Sequence, residues 1–340
     1  MTKKDQQMTF GEGTRFLLVL LFCSWSCAGV TSSGPSDGSA TGGASGNMGS
    51  TGNGGAVGGP GSGGSTGNGG SQPPPGNCSD AAKLVYVVSD QNHLYSFAPS
   101  KLPDVNAAFT DLGLINCSAP GADTVNSMAV DRAGTAYVNY ASGKIFTVNT
   151  TTLACADTGF VPGQSGFSPN LSMGFSSDAS GSSQETLYVS DNTGDDSGLA
   201  NGKGVAKVDL GQSPPTLIPI GAYTGDVMGG RCELTGTGDA RLFGFFTTQP
   251  AYLAQIDKTT GATPQAVPLP TINATTGGYA FSFWGGSYWF YTASDTDNTK
   301  VTRYDPTTTP PTTTVAVPQL TFTIVGAGVS TCAPVTFPIP

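Results

Sequence analysis

Few side chains in this 340-residue chain are equipped for chemistry, and their spacing narrows what that chemistry is. There is one histidine, His93. It stands beside Asn92 between two short apolar runs, the place of a solvated turn residue. Every Ser-His-Asp triad or histidine-rich metal site would have to be built on it, which nearly excludes both. Carboxylates gather more densely: Asp191, Asp195 and Asp196 share the segment 190–198, and Asp295 and Asp297 occupy a similar loop later in the chain. Three carboxylates with Asn and backbone oxygens on one loop form a donor set for calcium, which takes about six to eight oxygens. The spacing differs from that of an EF-hand loop, and Asp and Asn also favour turns with no metal involved. Calcium at Asp191, Asp195 and Asp196 is thus the one cofactor expectation, set against plain turn chemistry.

Two further groups qualify. Glycoside hydrolysis needs paired carboxyls facing one cleft, and the inner-strand candidates are only Asp131 and Glu233. An enzyme reading requires Asp131, Asp191, Glu233 and Asp295 to converge on one mouth; scattering leaves a binding role ahead. The aromatic run 279–291 offers Trp284, Tyr288 and Trp289 as a ligand platform centred on the Gly285-Gly286 turn. Strand alternation sends at least half of that run into core. The cysteines speak to compartment. Without Cys23 and Cys27 near the N-terminus, Cys78, Cys117, Cys155, Cys232 and Cys332 remain, with no CxxC or Cys/His zinc spacing. In an exported chain they make two disulfides and one free thiol. Cys78 with Cys332 is attractive because it staples the two ends of the domain, and the other pairings stay open.

Export is what the N-terminus indicates. Lys3, Lys4 and Arg15 precede the apolar run 16–22, and small residues follow. That is the layout of a secretory signal over residues 1–28, and the run is about half the length of a membrane span. Ser26-Cys27-Ala28-Gly29 resembles a bacterial lipobox, making Cys27 the expected lipidation site; cleavage by ordinary signal peptidase is the alternative. Residues 29–77 are mostly Gly, Ser, Thr, Asn and Pro with Asp37 as their single charge, a flexible linker that cannot bury a core. The whole chain carries 14 basic and 23 acidic residues for a formal net charge of −9. Such a balance argues against nucleic acid and leaves membrane contact to a lipid anchor.

Residues 78–340 contain the elements that must position any site. No sustained helical period appears. A strand–loop–strand unit recurs instead, with its second strand ending at Phe97, Val148, Val208, Ile256 and Tyr304. Each unit has an upstream strand except the first, and the segment 322–332 can supply that one. The reading is an all-β fold: a single β-propeller of about five blades, six being the next choice, closed by a C-terminal strand. A two-sheet sandwich is the main fold alternative.

The stretch 136–149, with Ala136-Tyr137-Val138-Asn139 and Val148-Asn149, resembles a YVTN-type surface-protein repeat, and Leu187-Tyr188-Val189-Ser190-Asp191-Asn192 resembles an NHL-type repeat. The lipobox-like start, linker and propeller together resemble cell-surface lipoproteins of social, predatory soil bacteria. The resemblance implies a propeller and no particular activity. The expected function is an exported, surface-tethered, non-enzymatic module binding a glycan, peptide or surface protein. The alternative is a secreted propeller hydrolase or lyase, calcium-assisted.

Overall fold

Short β-branched and aromatic runs punctuated by Gly, Asn and Pro become strands joined by tight turns. The computed structural model describes residues 78–117, 123–193, 202–273 and 277–337. The expected signal (1–28, with Cys27) and linker (29–77) lie outside the described residues, as do Asp195 and Asp196. Blade I takes β1 (Val85–Ser89), β2 (His93–Phe97) and β3 (Phe109–Leu114). Blade II is β4 (Val125–Val130), β5 (Thr135–Tyr140), β6 (Ile145–Asn149) and β7 (Cys155–Asp157). Blade III is β8 (Leu171–Ser177), β9 (Glu185–Asp191), β10 (Val205–Asp209) and β11 (Thr216–Gly221). Blade IV is β12 (Cys232–Gly236), β13 (Leu242–Phe246), β14 (Tyr252–Ile256) and β15 (Ala266–Pro268). Blade V is β16 (Gly278–Trp284), β17 (Ser287–Ala293), β18 (Lys300–Asp305) and β19 (Thr312–Val317), and β20 (Ile324–Val329) follows.

These strands form five four-stranded antiparallel sheets, the blades of a five-bladed propeller. In blade I the order is β20-β1-β2-β3, so the last strand is the innermost strand of the first blade. Val85 pairs with Val329 and Val87 with Ala327, which closes the ring. Closure leaves each blade one outer edge and no open end to the sheet array.

Burial follows from that geometry. Each blade faces a neighbour on both sides, so its middle strands are buried on both faces: Leu242–Phe246 and Ser287–Ala293 are buried throughout. The outermost strands are mostly exposed, as in Thr312–Val317, where Val317 alone turns into the core. Among the described residues the apolar core falls into five clusters, one at each blade seam. Phe97, Trp289 and Tyr291 meet between blades V and I, and Val88, Met128 and Val138 between I and II. Ala129, Met173 and Val189 fill the seam between II and III. Tyr188, Cys232 and Leu234 fill that between III and IV, and Phe245, Phe281 and Phe290 that between IV and V. Each fully buried aliphatic or aromatic side chain contributes about 1.5–3 kcal/mol. The inner strands crowd near the axis: a Cβ at Gly236 would lie 2.0 Å from the Phe175 carbonyl oxygen, so that contact requires glycine.

Among the described residues two disulfides fix the two ends of the ring and one seam. Cys78–Cys332 spans 254 residues and ties the segment before β1 to the end of β20, the expected staple at ring closure. Cys117–Cys155 joins the outer parts of blades I and II. Cys232 is the free thiol among the described residues, and it is buried on β12. Among the described residues no helix is long and apolar enough to cross a membrane.

Candidate functional site

Among the described residues, a recess on the propeller axis and another at a blade seam bring ionisable and aromatic side chains together. The axial recess, about 200 Å³, opens where the inner strands begin. Asn126 of β4, Arg231 just ahead of β12, Glu233 of β12, Tyr279 of β16 and Val325 of β20 line it, so four blades contribute. Glu233 is 2% exposed. Its Oε2 accepts a hydrogen bond from Ser127 Oγ and its Oε1 one from Ser172 Oγ, both 2.9 Å. Those hydroxyls belong to β4 and β8, so one carboxyl joins three adjacent inner strands. Burial pushes its pKa up to about 8, against the pull of the two serines. The Arg231 guanidinium lies 5.4 Å from the Tyr279 ring centroid, and its Nε donates to Thr247 Oγ1.

The seam recess, about 310 Å³, lies between blade V and the loop after β2. Pro99, Leu102 and Pro103 form one wall, and Trp289, Arg303, Asp305 and Phe337 form the other. Arg303 donates to Ser287 Oγ and Asp305 Oδ2, each at 2.9 Å. Its guanidinium sits 5.9 Å from the Trp289 ring centroid and 5.1 Å from that of Phe337. Phe337 is 38% exposed, and its other contact is edge-on with Trp284 at 5.5 Å.

The expected platform is redistributed by this packing. Trp284, Tyr288 and Trp289 are all buried, because β16 and β17 are covered on both faces by neighbouring blades. Trp284 Nε1 donates to the Lys83 carbonyl and Trp289 Nε1 to the Trp284 carbonyl. Tyr288 packs among Phe243, Phe281 and Phe283. No solvent-facing trio results among these three, and Trp289 lines the seam recess.

Of the expected calcium ligands, Asp191 is described. Its Oδ1 accepts from Ser168 N, Thr193 N and Thr193 Oγ1, and its Oδ2 accepts from Lys203 N. The carboxylate thereby fastens the entry to β8 and the far flank of its own loop, the turn role of an aspartate. Asp131 is likewise committed to its turn, accepting from Ala133 N and Thr135 N. Asp131 follows β4, at the opposite end of that strand from Asn126, so Asp131 does not share a mouth with Glu233. Asp297 Oδ2 takes Ser294 Oγ within its own loop. His93 Nδ1 pairs with Asp111 at 3.1 Å on a partly exposed flank of blade I.

At the far end of the inner strands a different cluster closes the ring. Glu185 accepts from Arg132 N and Thr331 Oγ1, both 2.7 Å, and Arg132 Nη1 also reaches Thr331 Oγ1. Burial pushes Glu185 up to about 7. Sequence reasoning singled out Glu233 but missed Ser127, Ser172, Arg231, Arg303 and Phe337. Residues two apart on a strand share a face, so 231 and 233 were the available hint. The seam's two walls, Pro99–Pro103 and Trp289 onward, lie far apart in the sequence and gave none.

No family model and no curated protein matches the chain. Solved structures similar to it include a catalytically inactive virginiamycin B lyase from Staphylococcus aureus with quinupristin, 14% identical over 72% of each chain, TM-score 0.37. TolB from Acinetobacter baumannii is 15% identical over 72% of this chain and 55% of its own, TM-score 0.38. A chain of the mitotic checkpoint complex is 11% identical over 81% of this chain and 91% of its own, TM-score 0.39.

Proposed function

We propose that the chain is an exported, surface-tethered β-propeller binding module, non-enzymatic, whose seam recess takes an apolar side chain of a partner peptide or protein. The observation that carries this is Arg303, held between Trp289 and Phe337 opposite an aliphatic wall of Pro99, Leu102 and Pro103. An apolar recess with a few convergent polar groups is the usual form of a binding site. Sugar rings need an open aromatic face. Trp289 is 2% exposed and lies under the Arg303 guanidinium, so the aliphatic wall favours a peptide over a glycan. Arg303 and Asp305 would orient the ligand's backbone or a terminal carboxylate.

Export and tethering rest on the signal-like start, the lipobox-like step at Cys27 and the two disulfides, which persist in oxidising compartments. The hydrolase or lyase alternative lacks support, because Asp131 and Glu233 lie toward opposite ends of the inner strands.

Intrinsic fluorescence tests the site directly. The chain has three tryptophans; Trp289 lines the recess and Trp284 touches Phe337. Titrating the exported chain with a library of short apolar peptides should shift that emission, and Arg303→Ala should abolish the shift. A response to oligosaccharides and to no peptide would move the reading to a glycan. Silence to both would remove the recess as a ligand site.

A further inference from the structure

The outer edge of blade V differs from the other four. A sheet edge offers unpaired N–H and C=O groups to any passing strand, and proteins guard it with charge, proline, shortness or a covering loop. Among the described residues four outer strands carry such a guard. Asp111 sits within β3 and pairs with His93. β7 and β15 are three residues long. β11 contains Pro219, and its Leu217 N donates to Gln164 Oε1 of a covering loop. β19 is six residues long, has neither charge nor proline, and among the described residues pairs with no strand beyond β18. Its register shift falls after Val315, so Thr312–Val315 run regularly against β18, and Val315 is 50% exposed.

The ladder fixes which way that backbone points. Bonded and unbonded pairs alternate across antiparallel strands. The two-residue turn Gly285-Gly286 makes Trp284–Ser287 a bonded pair. Phe283–Tyr288 is then unbonded, Tyr288–Tyr304 bonded and Tyr304–Thr313 unbonded. The N–H and C=O of Thr313 therefore point away from the blade, while Thr312, Thr314 and Ala316 line the seam recess.

We propose that β19 takes an extended, uncharged segment of a partner protein as a fifth strand, whose alternate apolar side chains enter the seam recess. This rests on that recess being a peptide site, and it adds how the peptide backbone is held. A strand laid beside Thr313 pairs with its outward backbone groups. The residues flanking that pairing place their side chains beside Thr312 and Thr314, facing the wall of Pro99, Leu102 and Pro103. β19 carries no charge to meet one on the ligand, so the segment is uncharged. A second copy of this chain is a poorer occupant. One six-residue edge falls well short of the roughly 1,000 Å² that two folded chains bury in a specific interface.

Fluorescence anisotropy on the exported chain tests this, with a labelled, end-capped hexapeptide alternating valine and threonine as the probe. Two N-methylated versions keep every side chain, one blocking the valine amides and the other the threonine amides. Only one of these sets faces β19. One version should therefore bind at least tenfold more weakly, and the other nearly as well as the parent. Thr313→Pro removes the outward N–H and should lose at least tenfold, whereas Thr313→Val keeps it and should bind as wild type does. The methylated pair is read on the unaltered chain, so it decides even if Thr313→Pro does not fold. Equal binding of the two methylated versions, or loss in Arg303→Ala with none in a folded Thr313→Pro, would overturn strand addition and leave the recess reading standing. Loss in Thr313→Pro with full binding by Arg303→Ala would support strand addition and overturn the recess reading. No binding of the parent peptide, or a dimer in sedimentation that Thr313→Pro disperses, would also overturn the proposed occupant.

Discussion

The axial mouth and the seam recess are built from the same five blades by opposite means. On the axis, inner strands from four blades converge, and polar side chains from β4 and β8 reach one carboxyl on β12. At the seam, the blades spread apart toward their outer strands, and a loop and a C-terminal segment bring Pro99, Leu102 and Phe337 to Trp289 and Arg303. The axis concentrates desolvated charge on rigid strands, where a hydrogen bond is electrostatically strong. The seam offers apolar surface on elements with few neighbours, the part of a domain that opens most easily. The lesson is positional: in this ring, depth supplies polar precision and radius supplies apolar area.

The strongest way to sharpen that contrast is to loosen the ring where it closes. Cys78–Cys332 closes a loop of 254 residues, and Cys117–Cys155 one of 38. Chain entropy assigns the longer loop about 5 kcal/mol and the shorter about 4 kcal/mol. Replacing Cys78 and Cys332 together by serine should lower urea stability by nearly that amount. It should also weaken peptide binding at the seam, because β20 and the residues after Cys332 lose their tie. The Cys117 and Cys155 pair of substitutions should leave seam binding alone. Equal loss at the seam from both pairs would mean that the recess depends on global stability and not on ring closure.

Glu233 provides the next largest effect. Its folded pKa, about 8, stands above the ordinary 4.5 of the unfolded chain. Below about pH 4.5 both states hold the proton. Between about 4.5 and 8 only the folded chain does, so stability falls as pH rises through that window and levels off above it. The full difference corresponds to an effect on the order of 4–5 kcal/mol. Glu233→Gln should remove most of the slope and make the protein more stable than wild type at pH 8. Glu185, raised to about 7 by its own burial, should leave a smaller slope of the same sign. Urea melts at pH 5 and pH 8.5 measure both. A wild-type chain equally stable at the two values would show that neither carboxyl is held as buried as its position indicates.

Much of the ring was legible in the sequence because each blade repeats one local rule. The pair Ala136–Tyr140 and Ile145–Asn149 reads as strand, turn, strand by composition alone, and the missing inner strand before Leu84 pointed to the C-terminal segment that pairs as β20. Cys78 with Cys332 followed from the same closure. The aromatic trio is buried for a physical reason. Alternation distinguishes two faces of a strand, but in a propeller both faces of β17 meet another blade, so Trp289 and Tyr288 are buried although they point in opposite directions. The two recesses depend on tertiary closure. Ser127, Ser172 and Glu233 are ordinary strand residues until the ring brings them together, and Phe337 joins Pro99 only through the closing strand.

The smallest expected effects separate charge from area at the seam. Arg303 and Asp305 are a partly exposed pair, worth about 0–1 kcal/mol to stability. Arg303→Ala should therefore barely move the melting temperature while reducing peptide affinity at least tenfold, since it removes both the ion pair and the contact with Trp289 and Phe337. Phe337→Ala takes away one exposed ring and keeps the charge, so a loss of only a few-fold is expected. If Phe337→Ala instead costs as much as Arg303→Ala, the ring is holding the guanidinium in place and its area is secondary. Phe337→Leu distinguishes the two: it retains apolar area but not the cation–π contact. Recovery of wild-type affinity in Phe337→Leu would make the seam a purely apolar site, and failure to recover would place its specificity in the orientation of Arg303.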